Sequence, residues 1–331
     1  MNLAINGFGR IGRHAFKAAF EKKDINIVAI NDLTDTKTLA HLLKYDTAYR
    51  TYHHEVGFDE TNIIVDGKKF PVYAQKDPSM LPWGDLKVDV VLECTGRFTD
   101  KVGADLHIKA GAKKVIISAP AKGADVPTYV RAINCGRVHK EASAVINNAS
   151  CTTNSIAPAM SVLEEKFGID KALMTTIHAY TADQNLQDGP HKDLRRARAA
   201  AENIVPTTTG AAKAVGEVIT SIQGRFDGLS IRVPVVTVSL SDFTMLLKKK
   251  TTKEEINQAF IEASKTDRYK GVLAVTDEPL VSSDFIGNTN SCIVDLSLTN
   301  VVDGDFVKVV AWYDNEYGYA HRLVELALLY A

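Results

Sequence analysis

Long hydrophobic runs are missing from this sequence, and so is an excess of charge of either sign. No stretch of 18 or more apolar residues occurs, so no membrane-spanning helix is expected. The 39 lysines and arginines nearly match the 40 aspartates and glutamates, leaving a formal net charge of −1. That balance supplies no electrostatic reason to bind nucleic acid or an anionic membrane as a main role. Cysteine is scarce. Cys94, Cys135, Cys151 and Cys292 stand far apart with no C-x-x-C pair, which excludes the usual spaced metal pattern and suits a reducing cytoplasm. The chain enters a strand-like segment at Leu3-Ala4-Ile5 without the pattern of a secretory leader. His53 and His54 are adjacent, yet the pair does not fall in a recognisable metal-ligand spacing. They read as surface residues, and no metal is expected.

What remains is a 331-residue chain, 45% hydrophobic, long enough to bury the cores of two domains. Its first segment is a strand pattern to Asn6, then Gly7-Phe8-Gly9-Arg10-Ile11-Gly12, then a helix pattern to Lys23, then a second strand from Ile25 to Asn31. This is G-x-G-x-x-G in its working context. Gly7 permits the tight turn, Gly9 admits a pyrophosphate to the backbone, and Gly12 lets helix and strand pack closely. Asp32 lies 20 positions after Gly12, where a carboxylate accepts the ribose hydroxyl bonds. A 2′-phosphate there meets repulsion and Leu33 offers no cation, so NAD is expected over NADP. Strand signals return at Val88 to Leu92 and Val115 to Ser118, with a helix pattern from Lys101 to Ala110 between them. Such alternation argues for a doubly wound parallel sheet whose ligands gather at the strand ends. Thr95, Gly96 and Ser118 are therefore candidate cofactor contacts. Ile63 to Val72 reads as an antiparallel excursion.

Ser150-Cys151-Thr152-Thr153-Asn154 follows the apolar run Ala144-Val145-Ile146 and precedes a patterned segment to Phe167. A thiol at such a strand-to-helix turn meets free backbone N–H groups, which favour the thiolate. Taken alone, the five residues fit a buried cysteine beside a polar cap equally well. Pro158 is expected in the first turn of the helix or at a kink. A thiolate nucleophile needs a proton partner, and His178, closing the strand pattern Ala172 to His178, is the candidate among nine histidines. Ala179 to Val205 shows no clean period but carries His191, Lys192, Arg195, Arg196 and Arg198; a long polar connection in a compact enzyme is more often functional than idle. Leu229 to Leu247 reads as antiparallel sheet. Thr181 with Arg232, and Thr209 with Arg195, suggest anion sites. A cysteine at a helix start together with a nicotinamide cofactor implies aldehyde oxidation through a thiohemiacetal and a thioester.

Along essentially its whole length the chain resembles the phosphorylating glyceraldehyde-3-phosphate dehydrogenase family. The resemblance rests on Asn6 to Arg13, Ile117 to Pro120, Ala149 to Asn154, His178-Ala179, Asp188 to Pro190, Thr209 to Val215, Arg232 to Pro234 and Trp312 to Tyr319. It implies an α/β fold. A Rossmann-like, mostly parallel NAD-binding domain would span 1–150, joined by the C-terminal helix at about 314–331. A catalytic domain with a mostly antiparallel sheet would span 151–313 and include the long loop at about 179–205. It implies Cys151 as nucleophile and His178 as its proton partner. It implies Thr181 and Arg232 for the substrate phosphate, and Ser150, Thr152, Thr209 and Gly210 for inorganic phosphate. An arginine of the long loop joins them, Arg195 as the choice and Arg198 as the alternative. For NAD it implies Gly7, Gly9, Arg10, Ile11, Gly12, Asp32, Ser118 and Asn315, with Lys76 standing where an arginine is usual. The partners implied are glyceraldehyde 3-phosphate, inorganic phosphate and three further copies in a homotetramer. The neighbouring alternative is an erythrose-4-phosphate dehydrogenase of the same fold, using water as acyl acceptor.

Overall fold

The computed structural model describes residues 1–137 and 143–331. By its contacts the chain divides into two compact units, one of 1–129, 134–149 and 320–331, the other of 130–133 and 150–319.

The first unit begins β1 (Asn2–Asn6), α1 (Arg10–Phe20), β2 (Asn26–Asn31) and α2 (Thr36–Lys44). A two-stranded ribbon follows, β3 (Tyr45–Asp46) with β4 (Arg50–Thr51). Then come β5 (Val56–Phe58), β6 (Asn62–Val65), β7 (Lys68–Tyr73), β8 (Val90–Glu93), α3 (Lys101–Lys109), β9 (Lys114–Ile117) and β10 (Val145–Asn147). Eight strands form one sheet in the order β10-β9-β8-β1-β2-β7-β6-β5. From β10 to β7 every pairing is parallel, as strand–helix alternation dictates. The sequence placed Phe70 and Val72 in an antiparallel excursion. β7 does pair antiparallel with β6, yet its far end pairs parallel with β2 through Val72 and Tyr73. β7 thus joins the parallel and antiparallel parts of the one sheet, its Ile30–Val72 register continuing the apolar layer.

α1 buries Ala15, Phe16 and Ala19, and the Phe16 ring meets Phe8 and Phe70 edge-on at 5.6 and 5.0 Å. The two outer glycines of the opening turn have separate duties. Gly7 has φ +91, and its N–H donates to the Asn31 carbonyl at 2.8 Å. A Cβ on Gly12 would stand 2.0 Å from the Gly7 carbonyl oxygen, whereas one on Gly9 would meet nothing within 4 Å. Backbone cannot yield as a side chain can. Gly12→Ala is therefore expected to cost about 3 kcal/mol and lower the unfolding midpoint by roughly 10 °C. Gly9→Ala is expected to leave it unchanged. Parallel calorimetry of the two variants checks the contrast.

The second unit begins with α4 (Cys151–Phe167). The elements after it are β11 (Ile169–Ala179), β12 (Val205–Thr208), α5 (Ala211–Val218), β13 (Phe226–Val233), β14 (Ser239–Leu247), α6 (Lys253–Ser264), β15 (Leu273–Thr276), β16 (Cys292–Asp295), β17 (Asn300–Val302) and β18 (Phe306–Tyr313). The sheet order is β12-β13-β11-β14-β18-β16-β15, with β17 on β18. Two pairings are parallel and the rest antiparallel. β14 alternates buried and partly exposed residues along its whole length, the signature of a sheet with one face on a core. β13 and β14 do not pair with each other; β11 lies between them, parallel to β13 and antiparallel to β14. The break at Pro234 therefore separates strands on opposite sides of β11 rather than making a hairpin. The last helix, α7 (Tyr317–Tyr330), places Ala320, Leu323, Val324, Leu326, Ala327 and Tyr330 in the apolar core of the first unit, with Leu3, Ile5 and Phe16.

Candidate active site

Each unit carries its own candidate site. In the first, a pocket of about 320 Å³ opens at the carboxyl ends of β1, β2 and β8, lined by Gly7, Gly9, Asp32, Lys76 and Thr95 among others. Asp32 accepts the Phe8 N–H at 2.7 Å and the Thr34 N–H at 3.0 Å, which fixes its carboxylate at the rim. Lys76 and Arg97 line the same pocket; Arg97 is a cation that the sequence reading did not single out. Arg10 and Ile11 form the first turn of α1, and the Arg10 guanidinium pairs with the buried Asp46 carboxylate at 2.6 Å. Gly96 takes φ +69, and the Ser118 N–H donates to the Glu93 carbonyl at 3.0 Å.

Beneath this pocket lies a polar network that went unnoticed in the sequence. Glu93 and His107 are wholly buried, and Glu93 Oε2 accepts from Asn6 Nδ2 at 2.5 Å and from His107 Nε2 at 3.0 Å. The other oxygen, Oε1, accepts the Thr95 N–H at 2.8 Å and also the Thr95 hydroxyl. Trp83 Nε1 donates to His107 Nδ1 at 2.9 Å, and an indole N–H can only donate, so the His107 proton sits on Nε2. Asn6 Oδ1 in turn accepts from Asn31 at 2.7 Å. A glutamate closing an otherwise apolar strand, Val90-Val91-Leu92-Glu93, was the available signal, since a buried carboxylate requires donors.

In the second unit, α4 begins at Cys151 with Ser150 as its cap, the Ser150 hydroxyl accepting the Thr153 N–H at 3.0 Å. Pro158 lies at the eighth position of this helix. It is past the first turn, and the bond it cannot make is the one to the Asn154 carbonyl. The Cys151 sulfur stands 3.5 Å from His178 Nε2. His178 Nδ1 is 2.7 Å from the Ala179 carbonyl, which can only accept. The proton is therefore on Nδ1, and Nε2 turns its lone pair to the thiol. Tyr313, buried and edge-on to the His178 ring at 6.0 Å, carries a hydroxyl bonded to Thr152 at 3.0 Å and Thr176 at 2.8 Å. It ties the helix start to β11, and nothing beyond its place in a family motif marked it.

Strand register brings the first arginine. His178 and Arg232 are direct partners across β11 and β13, and Arg232 Nη1 donates to Thr181 Oγ1 at 2.7 Å and to the Ala179 carbonyl at 3.2 Å. Arg232 Nε is buried without a partner among the described residues, as is Gln184 Nε2. A guanidinium N–H and an amide N–H, both buried and unpartnered, suit an anion. Arg196 joins this corner: it donates to Thr207 Oγ1 at 2.9 Å and pairs with Asp183, whose carboxylate also takes the Thr181 hydroxyl. Of the two arginines the sequence singled out, Arg195 is exposed and Arg198 pairs with Asp188 at 2.8 Å. Thr209 accepts the Ala211 N–H at 3.2 Å, and Gly210 caps α5. Asn315 is buried, with its Oδ1 accepting from Ser239, whose Oγ takes the Ala179 N–H.

The electrostatics differ from the simple helix-start argument. Burial pushes the Cys151 thiol above its ordinary value, against the pull of Thr152, Arg232 and the N–H groups at the helix start. Burial and then Arg232 push His178 down to about 3. The resting pair is accordingly thiol and neutral imidazole. Burial drives Cys94 up to about 12 and raises Cys292 as well.

Residues 150–315 match the C-terminal domain of glyceraldehyde 3-phosphate dehydrogenase, and residues 1–101 match the NAD-binding domain of the same family. The chain belongs to the glyceraldehyde-3-phosphate dehydrogenase family. Its relatives span it end to end. The glyceraldehyde-3-phosphate dehydrogenase of Thermotoga maritima is 56% identical over 325 residues, covering 98% of this chain and 97% of its own. That of Borreliella burgdorferi is 54% identical, covering 99% and 98%, and that of Geobacillus stearothermophilus 53%, covering 99% and 97%. The NAD-binding half of this family supplies the cofactor assignment, and the Gly7–Gly9–Asp32 pocket fits it: a bare glycine rim admits phosphate oxygens, and a carboxylate waits for ribose hydroxyls. No helix of the described residues is long and apolar enough to cross a membrane.

Proposed function

We propose that the chain is a phosphorylating glyceraldehyde-3-phosphate dehydrogenase using NAD, with Cys151 as nucleophile and His178 as its proton partner. The observation that carries this reading is the 3.5 Å approach of Sγ to an imidazole nitrogen whose lone pair is fixed toward it by the Ala179 carbonyl. As Sγ attacks the aldehyde carbon, Nε2 takes the thiol proton. The new oxyanion meets the Cys151 N–H at the start of α4 and the imidazolium just formed. NAD, when bound, supplies the hydride acceptor. The imidazolium returns its proton to that oxygen, and His178, neutral again, removes it as the thiohemiacetal becomes a thioester. Inorganic phosphate then attacks that carbonyl, the C–S bond breaks, and 1,3-bisphosphoglycerate leaves while the departing thiolate takes the proton from His178, restoring thiol and neutral imidazole.

Thr181 and Arg232 hold the substrate phosphate in this reading, and an anion there has a second effect. It offsets the guanidinium charge that depresses His178, making the imidazole a better base when substrate is present. Ser150, Thr152, Thr209, Gly210 and an arginine of the long connection hold the attacking phosphate. Gly7, Gly9, Arg10, Ile11, Gly12, Asp32, Lys76, Thr95, Gly96, Ser118 and Asn315 hold the cofactor. The test is NADH formation from glyceraldehyde 3-phosphate at varied inorganic phosphate. Strict phosphate dependence is expected; phosphate-independent turnover preferring erythrose 4-phosphate would overturn the assignment.

A homotetramer in the cytoplasm completes the proposal. Support comes from Leu173, Leu229 and Phe306, large apolar side chains left exposed on β11, β13 and β18, with a concavity of about 720 Å³ beside Leu173 and Phe306. Leu186, Leu194 and Ile204 on the long connection are exposed as well. A second copy of this chain is the covering such surfaces suit. Light scattering coupled to size exclusion checks the mass, and the four free thiols suit a reducing compartment.

A further inference from the structure

We propose that Glu21, His53 and His54 form a binding site for a divalent cation of the zinc class, separate from the residues assigned to catalysis or cofactor. Folding brings a distant carboxylate to the adjacent histidines. Glu21 follows the last turn of α1, and its carboxylate meets the turn between β4 and β5. One ligand atom from each residue lies within 4.8 Å of the other two. Glu21 Oε1 is 2.8 Å from His54 Nε2 and 3.7 Å from His53 Nε2. Donors on a tetrahedral zinc ion stand about 3.3 Å apart, given metal–ligand bonds of about 2.0 to 2.1 Å. The two distances bracket that separation, so small side-chain rotations complete three corners and leave the fourth for water.

A second observation separates this from a chance surface cluster. His54 Nδ1 is 2.5 Å from Asp66 Oδ2, whose other oxygen takes the Glu55 N–H at 2.9 Å. Asp66 sits in the β6–β7 turn with φ 48, held by that backbone bond. A carboxylate on the far nitrogen is the partner that orients a metal-bound histidine and strengthens it as a ligand. The His54 ring is fixed as well, with Phe20 at 5.0 Å and Tyr52 at 4.9 Å edge-on to it. His53 is the exposed arm, its side chain 74% exposed. Without metal, His54 simply bridges Glu21 and Asp66, so the geometry serves both states. Two imidazoles and one carboxylate favour zinc, cobalt, nickel or copper over magnesium or calcium.

The test is a cobalt(II) titration of the full chain with Cys151 alkylated, so that the active-site sulfur does not compete. We expect visible d–d bands of a four-coordinate nitrogen–oxygen site, with no sulfur-to-cobalt charge-transfer band, displaced by one equivalent of zinc. His53→Ala and Glu21→Gln should abolish these bands. Asp66→Asn should weaken binding about tenfold without abolishing it. The same bands in His53→Ala, a spectrum dominated by sulfur charge transfer, or no cobalt signal at millimolar metal would each overturn the assignment.

Discussion

Replacing Cys151 by serine is expected to lower phosphate-dependent NADH formation by about ten-thousandfold or more. The sulfur is the atom on which the thioester forms, and a hydroxyl is a far weaker nucleophile at neutral pH and a far poorer leaving group when phosphate attacks. His178 was placed to take a thiol proton; it cannot make an alkoxide from a group several units less acidic. In free-energy terms the loss is about 5 kcal/mol of transition-state stabilisation. Little else should change. Cys151 is at the first position of α4, where serine is well tolerated. Cofactor affinity by fluorescence titration and the unfolding midpoint are expected to match the parent. A serine variant that retained a hundredth of the parent turnover would end the covalent mechanism.

The second large effect is expected from His178→Asn, a fall in kcat/KM of about 10²- to 10⁴-fold with a changed pH profile. In the parent, the imidazole is held down to about 3 and the thiol is raised, so in the neutral range both groups are uncharged. The proton passes from Sγ to Nε2 within the pair, and none is exchanged with solvent. The chemical rate is thus expected to be nearly flat between about pH 6 and pH 8, away from the groups' own titrations. Asparagine cannot take that proton, so the variant must lose it to water. Below the raised thiol pKa the thiolate fraction climbs tenfold per pH unit, and log kcat/KM should climb with it at unit slope. A flat profile in the variant would show that another base serves Cys151. A variant as fast as the parent would remove His178 from the mechanism.

Much of the architecture is readable from local pattern. The glycine turn, the strands flanking it and the carboxylate at Asp32 are written in one continuous stretch, where period and spacing report directly on geometry. Cys151 at a helix start is equally local. Tyr313, Asp183 and the Glu93–His107 pair lay outside what pattern reveals. Each works through partners far along the chain, Tyr313 bonding to Thr152 and Thr176, and no periodicity encodes a partner's identity. The thiol shows the limit most plainly. A helix start argues for a lowered pKa, but burial acts in the opposite direction and was invisible until the surroundings of the sulfur were known.

By itself, then, the amino-acid order determined most of the elements, the glycine turn and a cysteine at a helix start, because these depend on neighbours within a turn or two. Only the tertiary structure decided that β11 would separate β13 from β14, placing Arg232 against His178, and that Glu21 would meet two histidines more than thirty positions away. Strand order and distant encounters follow from how whole buried faces pack, and that energy belongs to the assembled core rather than to any segment of it.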